Sequence, residues 1–232
     1  MMKFYFNGSP NPTKVALMLH EAEVPYEGIP VDPRRGEQFR PEYMKINPNA
    51  KVPALADGDT VIFDSNAILL YLATKTGKFN VAPTDPRYGE FLSWLMFVAT
   101  GIGPFLGQAA HFEHFSPEKV PYAPTRYMFE AERHLKVVEE RLASRRYMLG
   151  DEYTIVDMSL WGWTQLLWFI MGKGTLSRFP NIKRHHDEIA ARPAAKVAAG
   201  LRGRHSFKME VDDEMRSFMF RHLAADAATA KQ

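Results

Sequence analysis

Three short stretches of the chain hold residues whose types and spacing suit chemistry. Val52-Pro53 follows Lys51. A cis bond before such a proline turns the backbone N–H and C=O of Val52 outward, where an extended peptide can pair with them as an added strand. Taken alone, the dipeptide reads equally as a trans proline at a strand edge. Asp64-Ser65 stands before an apolar helical run. Ser65 is expected as the N-cap of that helix. Its hydroxyl and the free N–H groups behind it then form a carboxylate site at the positive end of the helix dipole. Asp64 supplies an anion for an ammonium group, so two consecutive residues would hold both charged ends of one amino acid. The plainer reading is helix capping. Ser9-Pro10-Asn11 lies in a turn ahead of another helix. A hydroxyl or amide donor there, with helix N–H groups, lowers the pKa of a bound thiol, although Gly, Ser, Pro and Asn are also what turns use. That thiol has to come from a ligand. The chain has no cysteine, which removes disulfides, thiolate zinc sites and a cysteine nucleophile.

The elements that must position these stretches alternate over the first 80 residues. Lys3 to Phe6 reads as a strand and Thr13 to Glu23 as an amphipathic helix with Val15, Met18, Leu19 and Ala22 on one face. Tyr26 to Val31 reads as a strand and Glu37 to Ile46 as a helix ended by NPNAK. Val52 to Ala56 and Val61 to Phe63 form a hairpin about Asp57-Gly58-Asp59, and Ser65 opens a third helix. The order β-α-β-α-β-β-α is the thioredoxin-like arrangement, in which the proline opening the hairpin is usually cis. Pro83-Thr84-Asp85-Pro86 marks a linker. Beyond it the pattern is helical: Tyr88 to Val98, Tyr122 to Arg145, a capping box over Thr154-Ile155-Val156-Asp157 and a helix from Pro180 through Ile189. The tail has a weak amphipathic patch (Met215, Phe218, Met219, Leu223) and an Ala-rich end that is expected to fray. The expectation is an α/β thioredoxin-like domain over 1–80 and an all-α domain over 87–232.

In this order and spacing the motifs become specific. Residues 49–72 (NAKVPALADGDTVIFDSNAILLYL) resemble the glutathione site of glutathione transferases. Three further stretches resemble the bacterial nu-class, disulfide-bond-reductase-like branch. They are Arg35-Gly36-Glu37-Gln38-Phe39-Arg40-Pro41, Gly103 to Gln108 with His111-Phe112, and Pro121-Tyr122-Ala123 with Arg126-Tyr127. Leu149-Gly150-Asp151 through Asp157 is similar to the superfamily's C-terminal capping motif, and the resemblance spans roughly residues 3–200. It implies a glutathione transferase fold in which Val52 pairs with the cysteinyl backbone of glutathione beside Pro53, and Asp64 and Ser65 hold the γ-glutamyl end. Gln38 and Lys51 would reach the glycyl end or the backbone, and Ser9 and Asn11 would flank the sulfur. Arg126 of a neighbouring subunit would approach the γ-glutamyl carboxylate, with Arg133 as its rival. It further implies a homodimer that reduces a small disulfide with glutathione thiols. The alternatives are conjugation of electrophiles, peroxide reduction, or a binding module without chemistry. The sequence departs from the family at Asp64, where glutamate is usual, and at Ser9, where nu-like members commonly carry threonine.

Other features have plainer readings. His111 and His114 lie three apart, but no third metal ligand accompanies them, so pocket lining and no metal are expected. His185-His186, Arg34-Arg35, Arg145-Arg146 and Lys183-Arg184 read as solvated, and Trp161, Trp163, Trp168 and Phe169 as helical core. Tyr5, in Phe4-Tyr5-Phe6, reads as core rather than as a sulfur ligand. A net charge of +2 over 232 residues gives no basis for nucleic-acid binding. The apolar run Leu160 to Met171 is far short of the ~20 residues of a membrane span, so a cytoplasmic protein is expected.

Overall fold

A computed structural model of the chain describes residues 1–221. The N-terminal half runs β1 (Met2–Phe6), α1 (Pro10–Glu21), β2 (Tyr26–Pro30), α2 (Pro41–Met44), β3 (Ala54–Asp57), β4 (Thr60–Phe63) and α3 (Ser65–Thr76). The sheet order is β2-β1-β3-β4, parallel between β1 and β2 and antiparallel across the other two pairs. This is the thioredoxin-like topology. Met2, Phe4 and Phe6 alternate into the core, as a strand period of two requires.

The helical half comprises α4 (Tyr88–Phe97), α5 (Gly103–Ala110), α6 (Tyr122–Leu142), α7 (Ile155–Thr164), α8 (Leu167–Ile170), α9 (Pro180–Ala190), α10 (Pro193–Gly200) and α11 (Asp213–Met219). The α4 and α5 helices join through a π-helical turn over Val98–Ile102. Pro104, just inside α5, has no N–H to continue the regular ladder. With a second π turn at His111–Phe115 they form one continuous helix, Tyr88–Phe115, of 28 residues. By length and composition this helix could cross a membrane; here Phe91, Leu95, Val98, Ile102, Leu106 and Ala109 are buried in the core. The expected capping box is present: Thr154 accepts from Val156 N–H, and Asp157 accepts from Thr154 N–H. Asp157 also accepts from Met148 N–H and bonds His185 Nε2 at 2.9 Å.

Several expectations are corrected. Glu37 to Ile46 is not one helix. It forms a 3-10 turn over Glu37–Phe39 and then the short α2, because Arg40 precedes Pro41 and is held extended (φ −61, ψ 136). His185 is fully buried against Asp157, and His186 stacks on Trp161, so this pair is not a solvated face. Trp168 is exposed rather than core. Arg184 is used structurally, donating to the carbonyls of Leu142, Arg145 and Arg146 at the end of α6. In the tail, Met215 is buried while Leu223 and the Ala-rich end lie outside the described residues.

Candidate functional site

Strand register brings the three stretches to one end of the sheet. Ala54 pairs with Phe63 across the hairpin, which sets Pro53 opposite Asp64. Tyr5 pairs with Ala54 in antiparallel β1, so the loop after β1 runs out beside Val52. The Val52-Pro53 bond is cis. Val52 lies beyond the end of β3, and among the described residues its N–H and C=O enter no backbone hydrogen bond. The loop is fixed from behind: Tyr43 Oη and Asn47 Nδ2 both donate to Lys51 O, at 2.5 and 2.6 Å. Asn47 Oδ1 in turn accepts from Asn49 N–H. Burial holds the Tyr43 hydroxyl protonated, well above the ordinary phenol range. The Tyr43/Asn47 spacing of four was a helical signal available in the sequence, but its use as a loop clamp was not.

At α3 the cap differs from expectation. Asp64 is the N-cap, and its Oδ1 accepts from Asn66 N–H and Ala67 N–H at 2.9 and 3.1 Å. Ser65 is the first helical residue. The difference follows from Asp64's backbone (φ 72, ψ 125), a conformation an L-residue adopts only when its surroundings fix it. Asp64 remains exposed at the mouth, while Ser65 is buried with no side-chain hydrogen bond among the described residues. A carboxylate arriving there meets an uncommitted hydroxyl and the first N–H groups of a twelve-residue helix.

At α1, Ser9 is the N-cap but does not cap with its side chain. Its hydroxyl and its N–H both donate to Asn7 Oδ1, at 2.6 and 2.9 Å, in a local turn. Asn11 makes no side-chain hydrogen bond among the described residues and is half-buried on the first turn. The Tyr5 ring lies 5.6 Å from that of Tyr43, and burial with the Glu27 charge raises its hydroxyl above the ordinary phenol range.

The remaining predicted residues are less directly poised. Gln38 is buried; its Nε2 donates to Pro33 O at 3.2 Å, and its Oε1 has no partner among the described residues. Lys51 has an exposed side chain at the mouth. Arg126 is half-exposed on α6 and pairs with Glu130 at 3.0 Å, and Arg133 grips the same carboxylate at 2.9 Å. These contacts hold the Glu130 carboxyl below its usual range, chiefly through Arg133. His114 Nε2 bonds Phe169 O at 2.7 Å. A cavity of about 640 Å³ lies elsewhere, between β2, the end of α1 and residues 201–205, and is lined by His20, Tyr26 and His205. Sequence reasoning missed Asn7, Asn47 and Lys14. Lys14 is fully buried on α1, and its Nζ lies within hydrogen-bond reach of Asn66 Oδ1 and Ser159 Oγ.

A thioredoxin-like half that turns a free peptide edge, a helix N-terminus and an amide-bearing turn toward one point, backed by a helical half, defines the glutathione transferase class. The description "Glutathione S-transferase, N-terminal domain" matches residues 1–74, and "Glutathione S-transferase, C-terminal domain" matches residues 130–188. The chain belongs to the glutathione S-transferase family. It is 40% identical over 205 residues to disulfide-bond oxidoreductase YfcG of Escherichia coli, covering 85% of this chain and 94% of that one. Glutathione S-transferase 2 of Schizosaccharomyces pombe is 38% identical over 208 residues, covering 82% and 90%. A glutathione transferase family member from Pseudomonas fluorescens, solved with two glutathione bound, superposes with a TM-score of 0.80 at 34% identity, covering 85% of this chain and 92% of that one.

Proposed function

We propose that this protein is a cytoplasmic, homodimeric, glutathione-dependent enzyme that reduces small disulfides with thiols supplied by glutathione itself. The observation that carries the reading is the convergence of Val52's unpaired backbone, Ser65 at the head of α3 and Asn11 at the head of α1 on one end of the sheet. Val52 pairs with the cysteinyl residue next to Pro53. Ser65 takes the γ-glutamyl carboxylate, and the free oxygen of Asp64 takes the amine. Lys51 reaches the glycyl end, with Gln38 behind it. Asn11 and Ser9 lie beside the sulfur, and Arg126 approaches from the neighbouring subunit. The relative solved with two glutathione bound supports room for two thiols.

The chemistry follows from the absence of cysteine. The bound thiolate attacks one sulfur of the substrate disulfide, forming a mixed disulfide and releasing one thiolate. A second glutathione attacks the glutathione sulfur of that mixed disulfide, giving glutathione disulfide and the second substrate thiol. Two glutathione molecules are oxidised, one disulfide is reduced, and the two glutathione thiol protons pass to the two product thiols. The protein contributes position and a lowered thiol pKa. The test is a glutathione-reductase-coupled assay with 2-hydroxyethyl disulfide beside conjugation of an aryl halide. Turnover of the disulfide is expected. No disulfide turnover with robust conjugation would move the assignment to a conjugating transferase.

A further inference from the structure

Lys14 is 1% exposed, yet its partners carry no charge. Nζ donates to Asn66 Oδ1 at 3.2 Å and to Ser159 Oγ at 3.3 Å, and the Ser159 hydroxyl itself donates to Asn66 Oδ1. Two of its three N–H donors are thereby used. A buried ammonium is normally paired with a carboxylate, because its desolvation is otherwise uncompensated. Among the described residues none makes an ion pair with Lys14. What lies next to it is the first turn of α3: Asn66 directly follows Ser65, the expected seat of the ligand's carboxylate.

The geometry points to Lys14 as a positioning residue for the γ-glutamyl carboxylate: its buried ammonium, acting through Asn66, supplies the charge that holds that carboxylate on Ser65, and Ser159 ties this charge to the helical half. The inference rests on the glutathione reading above and deepens it.

The charged surroundings are few. On α3 the acting charge is Asp64, which favours the ammonium. On α7 the acid is Asp157, already committed to His185, Met148 N–H and Thr154 N–H. On α10, Lys196 is exposed. Farther along α1, His20 bonds Tyr26, and Glu21 pairs with Arg192. From β1, Lys3 is exposed. Burial, opposed by Asp64, brings the Lys14 ammonium down to about 7. A bound carboxylate favours the charged form and raises that value. Below about 7 the amine is charged with or without ligand, so affinity is at its plateau. Above that, binding requires uptake of a proton, and affinity falls as pH rises toward the bound-state pKa.

S-methylglutathione is the probe, since its blocked sulfur cannot titrate. Calorimetry from pH 6 to 9 is expected to show wild-type affinity flat and then falling above neutrality, with net proton uptake at pH 8 in buffers of different ionisation enthalpy. Lys14→Met is expected to bind about tenfold more weakly at pH 6.5, the equivalent of one pKa unit, with a flat profile. The glutathione analogue carrying a carboxamide in place of the γ-glutamyl carboxylate should bind both proteins equally. Ser159→Ala keeps the charge but removes one acceptor, so its break should move to lower pH; it also covers the case in which Lys14→Met fails to fold. Equal affinity and an unchanged pH profile in these variants, or no proton uptake by the wild type, would overturn the role of Lys14 alone. No binding of S-methylglutathione by the wild type would remove the glutathione reading and the lysine's role with it.

Discussion

At the first turn of α1 the two candidate sulfur partners are not equivalent. The Ser9 hydroxyl proton is directed at Asn7 Oδ1, so toward a ligand the oxygen offers lone pairs rather than a donor. The Asn11 amide is uncommitted and can donate to a thiolate. Asn11→Ala is therefore expected to lower kcat for disulfide reduction about tenfold or more, the worth of one hydrogen bond to a charged group. It should also raise the pKa of bound glutathione, read from thiolate absorbance against pH. Ser9→Ala should cost less than about threefold, because the turn keeps its Ser9 N–H bond to Asn7. The reverse ranking would place the hydroxyl at the sulfur. Asp64 also differs from its expected part. One oxygen caps α3, so a single oxygen remains for the ligand amine. The shorter side chain found here in place of the family's usual glutamate suits the double duty, since an Asp at the N-cap reaches the second and third helical N–H groups directly.

Between α1 and α7 the backbones approach so closely that only glycine fits. A Cβ at Gly162 would lie 2.8 Å from Pro10 O and 2.9 Å from Lys14 Cβ. Gly162→Ala is expected to destabilise the fold by about 1–3 kcal/mol, as overpacking does, seen as a lower urea midpoint at constant slope. It should lower kcat as well, because the atom that must move belongs to the residue before Asn11. A loss of stability with unchanged kcat would separate this helix contact from the site. The same contact explains what the sequence did and did not make legible. Period-two strands, the Asp57-Gly58-Asp59 turn region and the Thr154–Asp157 box are local signals, and the structure contains them. The single apolar face expected for α1 was an underestimate. Residues Pro12 through Leu19 are all buried, because α3, α7 and α10 cover the helix from other sides. Lys14 is not among the four residues of the expected apolar face; α3 and α7, packed on either side, make it interior. Likewise the cap of α3 passes from Ser65 to Asp64 because of a backbone conformation that no propensity encodes.

At the scale of the whole molecule, large apolar side chains stand exposed on elements of both halves. β4 is an unpaired sheet edge, and it presents Val61 and Phe63, the latter 45% exposed. Met96 on α4 and Phe129 on α6 are 45% and 63% exposed. Such side chains on an open edge invite pairing with another surface. Arg126 lies three residues before Phe129 on the same helix, so an interface through Phe129 carries Arg126 to the partner's edge. Phe129→Glu is then expected to yield monomer in sedimentation velocity and to lose most disulfide turnover. Subunit mixing tests whether Arg126 acts across the interface. Arg126→Ala and Ser65→Ala each impair every site of their own homodimer. If Arg126 serves the partner's site, a mixed dimer holds one site with both residues intact and one with neither, so random mixing restores roughly a quarter of wild-type activity in a two-fold symmetric dimer. If Arg126 serves its own subunit, every site in the mixture lacks one residue and nothing is restored. Recovery with Arg126→Ala but not with Arg133→Ala as the partner variant would assign the bridging cation to Arg126, leaving Arg133 as the residue that holds Glu130.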